Sequence, residues 1–244
     1  MRDEQLVAQV VDAHLALAEA GQGDLIWGHV AVRDPAGRGI WIKAAGWGMD
    51  EIGPDQVQLV SFDGDVLLGQ GPRHIEYHIH TELMRQRADV GASVHSHASS
   101  ATAFASLNVP LRALSHDATP FLDPDVSRFH ETGNLIATTE LGRALADCVG
   151  SGNGCLIPAH GLVTVGATVS DAVMHAVLLD RACATHLTAL AAGGPRRWSS
   201  EEEVAAKRST LWPPRAFSSA FDYLVRRADR TTASKATSQV NVKG

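Results

Sequence analysis

The strongest constraint on the fold is a block of short strand-like runs in the first third of the chain. His29 to Arg33 and Gly39 to Ala44 flank the turn Asp34-Pro35-Ala36-Gly37, and Val57 to Ser61 and Val66 to Leu68 flank Asp63-Gly64, a hairpin signal. Connections this short force neighbouring strands to run antiparallel, and a meander of that kind must bury a face against other elements. Segments of helical periodicity supply the cover. Leu6, Val7, Val10, Val11, Leu15 and Leu17 recur at helical spacing until Gly21-Gln22-Gly23, and Glu76 to Arg87 carries Ile79, Leu83 and Met84 on one face. His97 to Leu107 and Thr139 to Val149 read as further helices, Ser170 as the cap of a long helix to Ala192, and Pro214 to Ala228 as the last. More strands are expected at Ala92 to His97, and at Cys155 to Ile157 and Leu162 to Val165, the last two bent at His160-Gly161. The pattern predicts helices on both faces of a mostly antiparallel sheet, in one domain over residues 1–228. A Thr/Ser/Lys/Ala-rich flexible tail is expected over 229–244.

Charge and composition narrow the function. A net charge of −6 lacks the basic footprint that nucleic acid or an anionic membrane requires. No run approaches 18 apolar residues, and the N-terminal segment reads as a helix rather than a secretory leader. Cys148, Cys155 and Cys183 form no C-x-x-C pair and sit in apolar runs, which predicts reduced, buried thiols and a cytoplasmic protein. The chain also holds 12 histidines, and histidine is both the commonest metal ligand and the near-neutral acid/base.

Their placement carries the argument. His95 and His97 lie two apart on an expected strand, so both project from one face while Val94 and Ser96 point to the other. That spacing suits two imidazoles on one ion, and equally a polar strand end. His160 sits at an Ala-His-Gly bend that presents a side chain from the end of a strand. Three neutral imidazoles with an open position form the ligand set of a catalytic divalent metal, which a carboxylate can complete.

The run from Glu76 through His95-Ser96-His97 to Ala159-His160-Gly161, with intervals of 19 and 63, resembles the class II aldolase/adducin family. Gly28 to Asp34, Arg87-Ala88-Asp89-Val90 and the segment from Ser170 onward match as well, so the resemblance spans roughly residues 5–228. It implies a three-layer α/β/α fold around a central, mostly antiparallel mixed sheet. It also implies a homotetramer with active sites at subunit interfaces, and one divalent metal (Zn, Mn or Fe) on His95, His97 and His160. Glu76 is implied as the acid/base that also touches the metal.

The chain departs from the sugar-phosphate members where they bind phosphate. Ile26, Gly28-His29, Ala45-Gly46 and His74-Ile75 stand where those enzymes carry Thr, Gly-Asn, Ser-Gly and Ser-Ser. A phosphate needs several converging donors, and the hydroxyls are gone. His29, Lys43, Arg73 and His74 instead offer groups suited to a carboxylate, and Trp27, Trp47 and Tyr77 offer flat contact for a ring. The Gly-His loop and the Arg-His-x-Glu lead-in look like the branch of the family that decarboxylates hydroxylated aromatic or pyridine dicarboxylates. The expectation is a metal-dependent carbon–carbon lyase passing through a metal-stabilised, enolate-like intermediate, with Glu76, or a site histidine such as His78 or His116, as the proton donor. Two alternatives stand beside it: an aldolase or dehydratase acting on an unphosphorylated hydroxy-ketone or hydroxy-acid, and a non-catalytic adducin-like scaffold.

Overall fold

Strand formation follows the alternation of side chains. In the computed structural model, which describes residues 1–123 and 125–241, Val30 and Val32 face one side of the sheet and Ala31 the other. The elements run α1 (Glu4–Glu19), β1 (His29–Arg33), β2 (Gly39–Lys43), β3 (Val57–Ser61), β4 (Val66–Leu68), α2 (Tyr77–Gln86), β5 (Ala92–Ser96) and α3 (Ser99–Ala105). Then come β6 (Ser127–Arg128), α4 (Thr139–Val149), β7 (Gly154–Ile157), β8 (Gly161–Gly166), α5 (Val169–Ala191), α6 (Glu201–Leu211) and α7 (Pro214–Asn241). The eight strands form one mixed sheet in the order β4-β3-β2-β1-β5-β8-β7-β6, antiparallel except for the β6–β7 pair.

Two apolar clusters sandwich this sheet. On one face Val30, Trp41, Leu59, Val94 and Leu162 pack with α1, α3 and α5 and with Phe217 of α7. On the other, Ala31, Ile42, Cys155 and Val163 pack with Ile79 and Leu83 of α2 and Leu145 of α4. His14 pins α1 to the start of β1: its Nδ1 donates to the Val10 carbonyl at 2.7 Å and its Nε2 accepts the Val30 N–H at 3.1 Å.

Besides the short strand β6, which the sequence pattern did not announce, three helices differ from the sequence expectation. The long helix α5 is capped by Thr168, whose hydroxyl accepts the Asp171 N–H while Asp171 reaches back to the Thr168 N–H, so Ser170 lies inside the first turn. Helix α6 has no counterpart in the expected pattern, because it buries little beyond Val204; its signal is the capping box of Ser200 and Glu203. Finally, α7 continues to Asn241 rather than ending near Ala228, and no Gly or Pro between 215 and 241 stops it. The remainder of the expected tail, 242–244, lies outside the described residues.

Candidate metal centre

Backbone pairing brings the candidate ligands together. Strand β5 lies between β1 and β8, with His95 opposite His29 on one side and opposite Val163 on the other. The β7–β8 hairpin closes through Pro158-Ala159-His160, with Ala159 at φ 59° and the His160 N–H bonded to the Ile157 carbonyl. Gly161 follows because the hairpin end presses on β5: a Cβ there would meet the Ser96 carbonyl oxygen at 2.3 Å. Glu76 occupies the cap position of α2 but makes no side-chain cap bond. Its carboxylate turns inward instead, and its Oε1 accepts the Ile136 N–H at 2.7 Å.

Glu76, His95, His97 and His160 each offer a ligand atom, all within 4.8 Å of one another. His95 Nε2 lies 3.8 Å from Glu76 Oε2, and His160 Nε2 lies 3.6 Å from Glu76 Oε1. Hydrogen bonding decides where the protons sit. His95 Nδ1 faces the Leu162 carbonyl at 3.0 Å and must donate to it, and His97 Nδ1 donates to Asp24 Oδ2 at 2.8 Å. In the neutral form of both rings, the form that binds a metal, the Nε2 atoms are then bare lone pairs, and they face each other at 3.2 Å. Two lone pairs at that distance repel unless a cation joins them. Around a tetrahedral ion with bonds of about 2.0–2.1 Å, ligand nitrogens sit about 3.3 Å apart. His160 Nδ1 is buried without a hydrogen-bond partner. The donor set therefore fits a divalent first-row metal.

Burial sets the electrostatics. It lowers the pKa of His95 well below the usual imidazole range and that of His160 to about 4, keeping both neutral as ligands. Burial raises the Glu76 carboxyl, although the Ile136 N–H opposes the shift.

Behind the cleft wall runs a second polar chain. Lys43 is buried and donates to the Ile26 carbonyl at 2.9 Å, the Trp47 carbonyl at 2.7 Å and His74 Nε2 at 3.2 Å. Its three ammonium protons are thereby committed, so His74 carries its own proton on Nδ1. The His74 ring lies 4.5 Å from that of His29, whose Nδ1 is 2.6 Å from His80 Nε2, while His80 Nδ1 is 2.6 Å from Ser93 Oγ. Burial is the main cause that lowers His74 and His80 to about 3 and Lys43 to about 8.

The cleft in front has a volume of about 450 Å³, and Trp27, His29, His74, Glu76, His97, Leu135 and His160 are among its lining residues. Other expected site residues stand elsewhere. Lys43 reaches the cleft only through His74. Arg73 lies over the Tyr77 ring at 4.1 Å, and neither lines the cleft; Tyr77 is buried with its hydroxyl on the Asp63 carbonyl. Trp47 contributes its carbonyl to Lys43 rather than its ring to the cavity. His116 is exposed at the head of the 3-10 turn His116–Phe121, whose Ala118, Thr119, Pro120 and Phe121 are its buried residues, and it does not line the cleft. The neighbouring carboxylates are also engaged away from the ligands, Asp117 with Arg181 and Asp123 with Arg208. Sequence reasoning missed Asp24, which stands 73 residues before His97 in a loop without periodicity. It also missed the Gly133-Asn134-Leu135 loop of the cleft wall.

Comparison with known proteins agrees with this geometry. Residues 8–187 match the family described as Class II Aldolase and Adducin N-terminal domain. The chain is 34% identical over 157 residues to "Decarboxylase NovR" of Streptomyces niveus, covering 63% of this chain and 56% of that protein. It is 36% identical over 140 residues to the "4-hydroxy-3-prenylphenylpyruvate oxygenase/4-hydroxy-3-prenylbenzoate synthase" of Streptomyces roseochromogenus, covering 56% of this chain and 50% of that protein. It thus spans about half the length of these two curated relatives. Among solved structures, the L-fuculose 1-phosphate aldolase of Glaciozyma antarctica superposes with a TM-score of 0.81 at 24% identity, covering 94% of this chain and 90% of that one, a likeness of fold. With the family matched across most of its length and the sheet and ligand cluster in place, the chain belongs to the class II aldolase and adducin family.

Proposed function

We propose that the protein is a divalent-metal-dependent lyase that decarboxylates a hydroxylated aromatic or heteroaromatic carboxylic acid. The observation that carries this reading is the pairing of the Glu76/His95/His97/His160 cluster with a cleft wall of His74 and His29 backed by the buried Lys43. Hydroxyl donors for a phosphate are absent at the corresponding positions of the sequence; of the two Streptomyces relatives, the name of one favours decarboxylation and that of the other a hydroxylated aromatic substrate.

Within this reading His95, His97 and His160 hold the metal, with Glu76 beside it. When bound, a divalent metal supplies a Lewis acid that draws charge from a substrate oxygen. The Nδ1–H of His74, with the Lys43 charge behind it, binds a substrate carboxylate, and His29 borders the same pocket. Trp27, Ile75 and Leu135 place apolar surface at the cleft and limit water. Glu76 holds the proton that the ring carbon receives after CO2 departs, a role that its burial and raised pKa support. His116, exposed and outside the cleft, has no part in this assignment within one subunit.

The homotetramer belongs to the same proposal. Leu25, Ile26, Trp27, Ile75 and Leu135 are exposed on or next to the residues that line the cleft, and a second copy covering them supports active sites at subunit interfaces. Zinc or manganese is the favoured ion, and a cytoplasmic location is proposed with it; no helix among the described residues is long and apolar enough to cross a membrane.

CO2 release from a panel of ortho-hydroxy aromatic carboxylates tests the reading. The metal-loaded enzyme is expected to release CO2, and Glu76→Gln to lower the rate at least 100-fold, the order of a lost general acid. Wild-type CO2 release from Glu76→Gln would sink the role given to Glu76, and cleavage of hydroxy-ketones with no CO2 from any acid in the panel would sink the decarboxylase in favour of the aldolase alternative.

A further inference from the structure

A second cavity of about 550 Å³, which shares no lining residue with the candidate metal centre, opens beside β6 and the turn that follows α4. Cys148, near the C-terminal end of α4, lines it and is half-buried. Its sulfur lies 3.7 Å from that of Cys155, which is fully buried on β7. We propose that Cys148 and Cys155 form a redox-active thiol pair that low-molecular-weight disulfides oxidise, with Cys148 the attacking thiol and Cys155 the resolving one.

The asymmetry between the two sulfurs assigns these roles. Cys148 faces the cavity while Cys155 is fully buried; the contact between the two sulfurs lowers the pKa of Cys148, and the same contact together with burial raises that of Cys155. The carboxylates around the cavity are already paired, Asp123 with Arg208 and Asp125 with Arg128, so an uncharged disulfide meets little repulsion. Closing the bond means bringing the sulfurs from 3.7 Å to about 2.05 Å. The connecting turn Gly150-Ser151-Gly152-Asn153-Gly154 contains three glycines and gives the backbone room for that shift. Cys183 provides a built-in control, being buried in the core on the opposite face of the sheet.

The chemistry balances in two exchanges. The Cys148 thiolate attacks one sulfur of the small disulfide, the S–S bond breaks, and the departing thiolate takes up the proton that Cys148 lost. Cys155 then gives up its proton, attacks Cys148 Sγ and expels the second small thiolate, which takes that proton. One small disulfide is reduced to two thiols, and the protein gains one disulfide.

The test treats the metal-loaded, full-length chain at neutral pH with hydroxyethyl disulfide, followed by intact mass and peptide mapping. The wild type is expected to end two hydrogens lighter, with Cys148 joined to Cys155 and Cys183 still free. Cys155→Ser should stop at the mixed disulfide on Cys148, and Cys148→Ser should stay unmodified while folded. Cys148 is expected to react at least about tenfold faster than Cys183. Equal rates at Cys148 and Cys183, or a wild-type adduct that persists on Cys148 with Cys155 free, overturns the proposal. The wild-type peptide map decides by itself if Cys155→Ser does not fold.

Discussion

Asp24 holds the Nδ1 proton of His97 from a loop far away in sequence, and that one bond determines which imidazole nitrogen remains bare for a metal. Asp24→Asn keeps the size and removes the charge, so it is expected to weaken metal affinity roughly 10- to 100-fold, the usual effect of losing an outer carboxylate. Competition against a chromophoric chelator measures this, and an affinity within twofold of wild type would mean that the ring is held by other contacts. Lys43 acts on His74 in the same manner, by occupying its Nε2. Long-range nitrogen–proton spectra of the zinc-loaded, histidine-labelled protein should show His74 protonated at Nδ1, with that preference lost in Lys43→Met; an unchanged tautomer contradicts the role given to Lys43. Neither interaction was legible in the sequence. The candidate ligands were named through resemblance to the family; spacing by itself put His95 and His97 on one strand face and His160 at a bend, and left a polar strand end equally open. Asp24, Lys43 and His80 act across 73, 31 and 51 residues respectively, and no spacing rule connects positions so far apart.

At the scale of elements, the sequence was clearest where local rules act alone. Two of the antiparallel pairs in the first half, the hairpins β1–β2 and β3–β4, follow from side-chain alternation and turn residues, and β1, β3 and β4 have the expected bounds. Helix α6 stayed invisible because little of it is buried, and the start of α5 was misplaced because Thr168 and Ser170 are both good capping residues. The β7–β8 hairpin is the most demanding element, because Gly161 has no room for a side chain against β5. Gly161→Ala should push the hairpin end off Ser96, costing about 2–3 kcal/mol by overpacking and displacing the adjacent His160. Urea unfolding together with metal content reads both effects. A variant with wild-type stability and full metal would show that the hairpin is not seated on β5 as described.

The whole molecule keeps an unusual share of its histidines neutral by burial. His14, His74 and His80 have pKa values lowered to about 3, and His29 is also well below its ordinary 6.5. In the unfolded chain these imidazoles take up protons near pH 6.5, while in the fold His14, His74 and His80 do not until about pH 3. Their contribution to stability is therefore full above pH 6.5 and shrinks as the pH falls from there toward 3. Each adds a slope of about 1.4 kcal/mol per pH unit, so three of them amount to roughly 4 kcal/mol per unit. Urea unfolding at pH 7.5, 6.5 and 5.5 should show little change over the first interval and a loss of several kcal/mol over the second; a flat profile down to pH 5 would contradict the neutral, buried assignment. His14 makes the reason concrete, since a proton on its Nε2 would displace the Val30 N–H and separate α1 from the sheet.

Between His97 and His160 the chain passes through α3, β6, α4 and β7 before returning, as β8, to the strand directly beside β5. Where the last ligand lands is thus settled by which strand it neighbours and not by how much chain is spent on the way. Insertions or deletions in that excursion leave the distance between the imidazoles untouched so long as β5 and β8 stay paired. The same adjacency imposes an order of events in folding: the end of β5 and the residue that follows it present two nitrogens, and the third joins them only after the sheet has closed over an interval of 63 residues. An ion that needs all three therefore reports a finished sheet and gives no help to the early chain in finding it.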